Sequence, residues 1–305
     1  MSTQTSFEFA LQKQEGPQCP APQTITTATR KRESAQTAGE CEIVNGASLA
    51  NNAPLANARL ITSERRVKRH YSTTKNVYEA TQERLDFIFE KFPRIYLSFS
   101  GGKDSGVMLN LVIDFMRQRG ITTKIGVHIM DNEANYEHSL TFMRSILNKN
   151  LDILDVHWCC LPITLPCTVS QYAIDWQCWG ERDKERWIRP MPTDPYIVNM
   201  KNHSYPFFRE DMHYDEFWDG WGEWYAQGQR CACLIGIRTV ESLNRFRAIM
   251  NQDKETLEGQ MWTKRNGECV YNCYPLYDWK TEDIWTANAK FEWEYNKLYD
   301  IFYKA

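Results

Sequence analysis

The segment Ser100-Gly101-Gly102-Lys103-Asp104-Ser105 gathers the residue types that hold a phosphate. An apolar run, Ile95 to Phe99, precedes it, and a helical pattern, Val107 to Met116, follows. Strand, tight turn, helix is the context in which backbone N–H groups and the helix dipole meet an anion. Paired glycines permit positive φ and close approach of a ligand to the main chain. Lys103 supplies a point charge, and Ser100 and Ser105 supply hydroxyls, with Ser98 at the end of the strand. The spacing is not the G-x-x-x-x-G-K-[ST] of the common P-loop. The chemistry predicted is capture of a nucleotide pyrophosphate or a phosphosulfate.

Three further segments carry polar groups at element ends. In Ile129-Met130-Asp131-Asn132-Glu133, two carboxylates close a second apolar run. They suit Mg²⁺ or ribose hydroxyls, and equally a polar loop that caps the next helix. In Leu234-Ile235-Gly236-Ile237-Arg238, a strand again runs through glycine toward a helix. Arg238 at that point can fork onto phosphate or sulfate oxygens. Arg245 projects from nearly the same helical face, or else pairs with Glu241 at i,i+4. In Pro275 to Trp285, Asp278 and Thr281 read as turn and cap residues, with Trp279 and Trp285 as packing.

The elements that must position these groups alternate. Helix is expected over 77–92, 105–119, 136–148, 239–250 and 281–290, and strand over 94–99, 123–130, 151–158, 231–237 and 270–275. Such alternation over short loops predicts an α/β fold with a mostly parallel, doubly wound sheet. Ligands on such sheets lie beyond the carboxyl ends of the strands, at a switch in strand order. The expected division is a disordered tail over 1–60, a nucleotide-binding half over 61–158, a Trp- and Cys-rich insertion over 159–230, and a second α/β part over 231–305. The tail is rich in Thr, Ser, Ala and Gln and too poor in large apolar residues to fold on its own. The insertion, with weak periodicity, reads as short helices forming a lid or substrate platform. A helical pattern from Trp293 to Lys304 meets the end of the chain without a capping signal, which predicts a continuation.

Composition narrows the class. The 305 residues are 42% hydrophobic and 25% charged, within the globular range. A net charge of −3 argues against broad electrostatic binding to nucleic acid, though the cluster Arg65 to His70 is a local basic patch for DNA or an acidic partner. No run of apolar residues is long enough to span a bilayer, and no signal-peptide pattern is present, so a cytoplasmic protein is expected. Ten cysteines are many for that compartment, where disulfides are rare. Cys159, Cys160, Cys231 and Cys233 are candidate ligands for zinc or an iron–sulfur cluster, although no C-x-x-C pair occurs. Cys231 and Cys233, two apart on one strand, face the same side, which permits joint ligation or plain packing.

The four segments, in this order, resemble the phosphoadenosine phosphosulfate reductase family, within the adenine-nucleotide α-hydrolase-like group that includes ATP pyrophosphatases. The matching residues are Ser100–Ser105, Asp131, Gly236-Ile237-Arg238 with Glu241-Ser242 and Arg245, and Pro275 with Asp278-Trp279 and Asp283-Ile284-Trp285. The long insertion resembles the phage and prophage subgroup of immunoglobulin-binding regulator A. The resemblance implies an adenine nucleotide over Ser100–Ser105, with Arg238 and Arg245 on its anionic groups. It also implies a ParB-like protein as partner. The nucleophilic cysteine of the reductases lies in a Glu-Cys-Gly-x-His-type segment that this sequence lacks. Three functions follow as expectations. The first is attack on the α-phosphate of ATP-Mg²⁺ with pyrophosphate release, Lys103, Asp104 and Arg238 being catalytic and Asp104 or Asp131 holding the metal. The second is reduction of phosphoadenosine phosphosulfate through a cysteine. The third is nucleotide-dependent regulation without catalysis.

Overall fold

The computed structural model describes residues 75–304 except 168, 169, 252 and 253, and these fall in one compact unit. The expected tail over 1–60, Cys19, Cys41 and the basic cluster Arg65 to His70 lie outside the described residues.

The first half follows the alternation in the sequence. Helix α1 (Val77–Lys91) leads into β1 (Arg94–Ser98), α2 (Lys103–Gln118), β2 (Ile125–Met130), α3 (Glu137–Asn148) and β3 (Leu154–Cys159). Asn76 caps α1, its side chain accepting the Glu79 N–H at 2.9 Å while the Glu79 carboxylate accepts the Asn76 N–H at 3.1 Å. β3 starts three residues later than the sequence suggests. The N–H groups of Ile153 and Leu154 both donate to the Asn150 carbonyl and hold that stretch as a turn.

Strand β1 pairs in parallel with β2 on one side and with β7 (Cys231–Ile235) on the other. β3 continues the sheet beyond β2 and pairs with β6 (Ile197–Val198) at the edge. On the other wing β7 pairs in parallel with β9 (Val270–Cys273), which carries the antiparallel edge strand β8 (Thr263–Arg265). The order β6-β3-β2-β1-β7-β9-β8 places the reversal of strand order between β1 and β7. Ligand crevices in open α/β sheets form outside the carboxyl ends at such a reversal. β8 has no counterpart in the sequence-based expectation: it is three polar residues long, as edge strands often are.

The segment 159–230 holds a small hairpin, β4 (Thr164–Pro166) with β5 (Asp175–Gln177), a 3₁₀ turn over Glu181–Arg186, β6, and α4 (Tyr214–Ala226). Its final helix is not a lid. α4 lies on the sheet, where Trp221 stacks on His128 at 4.2 Å and meets Tyr96 edge-on at 4.9 Å. The backbone of Gly126 makes room for Tyr225, whose ring would stand 2.6 Å from a Cβ there. The abundance of tryptophan therefore builds core, and Trp158, Trp179, Trp221 and Trp279 are fully buried. By the alternation of side chains, Leu97, Val127 and Ile129 are buried on the opposite face. Burial on both faces is what a mostly parallel sheet requires.

Helix α5 spans Leu243–Met250 and so starts four residues after the expected Thr239. The Thr239 N–H is taken by the Tyr277 carbonyl at 2.9 Å, and Ser242 caps the helix by accepting from the Arg245 N–H at 3.2 Å. Helix α6 spans Thr281–Lys290 as expected, with the Asp283 carboxylate accepting the Lys280 N–H at 2.7 Å. The last helical pattern is realised only as α7 (Leu298–Lys304), after a stretch without regular secondary structure.

Candidate functional site: the loop after β1

The loop Ser100–Ser105 leaves β1 at the switch in strand order. Gly101 sits at φ +69°, a conformation that favours glycine, and a Cβ there would lie 2.8 Å from the Met143 side chain. Gly102 is the N-cap of α2 in extended conformation. The Ser105 hydroxyl donates to the Gly102 carbonyl at 3.2 Å and lies 3.0 Å from the Ser100 hydroxyl, so the turn is braced by its own side chains. The N–H groups of the first turn of α2 have no acceptor within the helix, which leaves a cradle for an anion.

Gly236, beyond β7, packs on this cradle from the neighbouring strand. A Cβ at Gly236 would come within 2.9 Å of the Asp104 carbonyl oxygen and the Ser105 Cα, so only glycine lets the two strand ends close up. Arg238 follows, and it is only 2% exposed. Its Nε donates to Asp104 Oδ1 at 2.8 Å, and one Nη donates to the Thr281 hydroxyl at 3.3 Å. The other Nη stands 3.7 Å from Glu241. Lys103 Nζ donates to the second oxygen of Asp104 at 2.8 Å. Asp104 is thus held between two cations, and the Arg238 guanidinium is taken up by protein partners. This arrangement makes Arg238 a brace for Asp104 and Lys103 rather than a group presented to a ligand. Arg245 pairs with Glu241, the helical i,i+4 alternative, and the carboxyl of Glu241 is held below its ordinary pKa by hydrogen bonds from the Arg238 backbone and the Arg245 side chain against the opposing effect of burial.

Asp131 and Glu133 do not fit a metal. Asp131 is fully buried, and its carboxylate accepts from Trp158 Nε1 at 2.6 Å, from the Glu133 N–H at 2.8 Å and from the Arg189 side chain. Glu133 adopts φ +67°, and its carboxylate accepts the backbone N–H groups of Trp179 at 2.8 Å and Ile188 at 2.6 Å. The two carboxylates bolt residues 179–189 onto the sheet. With the Asp104 oxygens committed to Lys103 and Arg238, neither Asp104 nor Asp131 is offered to a metal ion.

The cysteines are also corrected. β3 and β7 are separated by β2 and β1, so Cys159 and Cys160 are not brought to Cys231 and Cys233. Among the described residues no group of three or more His, Cys, Asp or Glu side chains is placed to hold a metal ion. All four thiols are buried and free. Burial pushes the thiols of Cys159 and Cys233 up to about 12, and raises those of Cys160 and Cys231 as well. A thiol so raised is a poor nucleophile near neutral pH.

Two residues at the loop were missed in the sequence. Tyr299 accepts the Lys103 N–H at 3.2 Å through its hydroxyl, and its ring lies beneath Lys103 Nζ at 5.8 Å. Asn296 is buried and donates to the Gly101 carbonyl at 2.9 Å and the Ser139 hydroxyl at 2.8 Å. Both come from the chain's last twelve residues, where helical periodicity alone was visible. Asp278, read as a turn residue, forms a buried two-point pair with Arg84 at 2.8 and 2.6 Å that ties α1 to the loop before α6.

A model of the phosphoadenosine phosphosulfate reductase domain matches residues 94–305. The uncharacterized protein YbdN of Escherichia coli (strain K12) is 37% identical over 233 residues, which make up 75% of this chain and 56% of YbdN. The chain thus spans little more than half the length of that relative. Solved structures with similarity include phosphoadenylyl-sulfate reductase from Candida auris, at 15% identity and a TM-score of 0.39, covering 72% of this chain and 84% of that one. FMN adenylyltransferase of Candida glabrata, bound to FMN and an ATP analogue, aligns at 16% identity and a TM-score of 0.42, covering 73% and 59%. From the domain match over 94–305, with the loop and strand order already described, it follows that the chain belongs to the phosphoadenosine phosphosulfate reductase family.

Proposed function

We propose that the protein binds an adenine nucleotide on the Ser100–Ser105 loop and transfers its adenylyl group. The observation that carries the reading is the anion cradle at the N-terminus of α2, placed at the β1/β7 reversal and backed by Lys103. ATP, entering as its magnesium complex, would lay its phosphates on the N–H groups of that turn, displacing the Tyr299 hydroxyl from that of Lys103. An acceptor oxygen attacks the α-phosphorus, a P–O bond forms, the bond to the β-phosphate breaks, and pyrophosphate leaves. Lys103 stabilises the charge that gathers on the departing phosphates. Asp104 and Arg238 hold that lysine in place and are positioning residues. An acceptor that is already anionic needs no general base, and the loop contains none.

Sulfonucleotide reduction through the candidate cysteines is the weaker reading. It needs an exposed, low-pKa thiol beside the anion, and Cys159, Cys160, Cys231 and Cys233 are buried with raised pKa.

Release of pyrophosphate from α-³²P-labelled ATP, followed with a panel of anionic acceptors, tests the reading. Label transferred to an acceptor, and lost in Lys103→Ala, is the expected result. Release of orthophosphate instead of pyrophosphate would contradict it.

A further inference from the structure

Two strands along the same sheet edge, a cavity opens where β3 and β6 end. Its volume is about 380 Å³, within the range of small-molecule sites. Its walls come from the 3₁₀ turn and the residues after it on one side and from the stretch after β6 on the other, with Cys160 among its lining residues. Strands lie about 4.8 Å apart, so two spacings put this cavity roughly 10 Å from the loop after β1.

Three features define what it would hold. First, Lys184 and Lys201 line it against the single carboxylate of Glu181, Arg189 being paired with Asp131, so one positive charge is left in excess. Second, Trp179 and Trp187 both line it, their rings meeting edge-on at 5.1 Å. Each indole is attended by a cation: Arg189 lies 4.9 Å from the Trp179 centroid, and Lys184 lies 5.5 Å from that of Trp187. Third, the wall is fixed before any ligand arrives. Trp179 Nε1 donates to the Asp131 carbonyl at 2.9 Å, Trp187 Nε1 donates to the Gly180 carbonyl at 3.0 Å, and Arg189 Nε donates to the Glu133 carbonyl at 3.1 Å. The carboxylates of Asp131 and Glu133 complete the attachment. Two buried acids, Glu133 among them at positive φ, hold this wall, and a preorganised wall lowers the cost of binding.

We infer that this cavity is a second ligand site, separate from the nucleotide loop, and that it takes a planar anion: an aromatic or heteroaromatic ring bearing a phosphate or carboxylate. The half-buried Trp187 indole accepts the ring by stacking or edge contact, with Trp179 behind it, and Lys184 and Lys201 accept the charge. The inference stands on the cavity alone and holds whether or not ATP occupies the loop.

Calorimetric titration with 1-naphthyl phosphate, neutral 1-naphthol and inorganic phosphate tests it. The aromatic anion should bind at least about tenfold more tightly than either of the other two. Lys184→Glu with Lys201→Glu, both exposed and so neutral for folding, should weaken it by at least about tenfold, and Trp187→Ala should weaken it too. Lys103→Ala should leave it unchanged. Equal binding of 1-naphthol would make the cavity a plain apolar crevice and overturn the inference. So would indifference to the charge reversals, or failure of the aromatic anion to bind. Loss of naphthyl phosphate binding in Lys103→Ala would put the ligand on the loop and overturn the separateness of the two sites. ATP titrated in parallel keeps the two sites distinguishable, since loss of ATP binding alone bears only on the loop.

Discussion

Arg238 and His128 are two buried side chains that the fold treats in opposite ways. Arg238 has its guanidinium set against the Asp104 carboxylate. Removing one partner of such a pair leaves the other charge unsatisfied, at a cost of about 3 kcal/mol or more. Lys103 partly compensates here, so Arg238→Met should lower stability by about 2–3 kcal/mol in urea unfolding and weaken ATP binding as well. A stable variant with unchanged affinity would remove Arg238 from the site. His128 is kept neutral. It is fully buried, neither ring nitrogen has a hydrogen-bond partner among the described residues, and burial, with a smaller contribution from His157, lowers its pKa to about 3. In the unfolded chain it takes up a proton near pH 6.5. The unfolded state therefore binds more protons between those values. The contribution is complete above pH 6.5 and is lost as pH falls toward 3, by at most about 1.4 kcal/mol per unit. His128→Phe, which keeps the stack on Trp221, should flatten that limb in pH-dependent unfolding. An unchanged acid limb would assign the slope to other groups.

At the scale of elements, the site is a junction of three chain segments: the β1–α2 turn, the end of β7 and the stretch before α7. Gly236→Ala would drive a Cβ into the backbone of Asp104 and Ser105 and push β7's end off the cradle. ATP affinity is expected to fall by about tenfold or more, about 1.4 kcal/mol, whereas Gly120→Ala, where nothing lies within 4 Å of the added Cβ, probes only the strain of positive φ. Tyr299 occupies the Lys103 N–H that a phosphate would take. Tyr299→Phe frees that donor, so ATP should bind at least as tightly as to the native chain. Weaker binding, read by calorimetry, would make the hydroxyl part of the nucleotide contact. The elements themselves were legible where periodicity was local and strong. Ser100–Ser105 was readable because its residue types, the strand before it and the helix after it all agree. The late start of α5 was not, because the Tyr277 carbonyl that holds Thr239 comes from 38 residues downstream. For Asp131 and Glu133 the sequence leaves ligand and capping roles equally open for the same reason: nothing local shows that Trp158, Trp179 and Arg189 fold back to donate to their carboxylates.

At the scale of the whole molecule, a mostly parallel sheet would carry the two proposed sites on one edge, separated by the width of two strands. Its strand order turns at β1, so the Ser100–Ser105 loop falls at the one reversal in the parallel run among the described residues. The aromatic-rich segment 159–230 serves both faces of this plan: α4 builds core on the sheet, and residues 179–189 build a cavity wall at its edge. No helix among the described residues is long and apolar enough to cross a membrane. The direct test of nucleotide binding at the loop is calorimetric titration of ATP-Mg²⁺ into the native chain and into Lys103→Ala. Saturable one-to-one binding to the native chain, weakened at least about tenfold in the variant, is the predicted result. Absence of binding, or equal binding to both proteins, would contradict a nucleotide held on Ser100–Ser105.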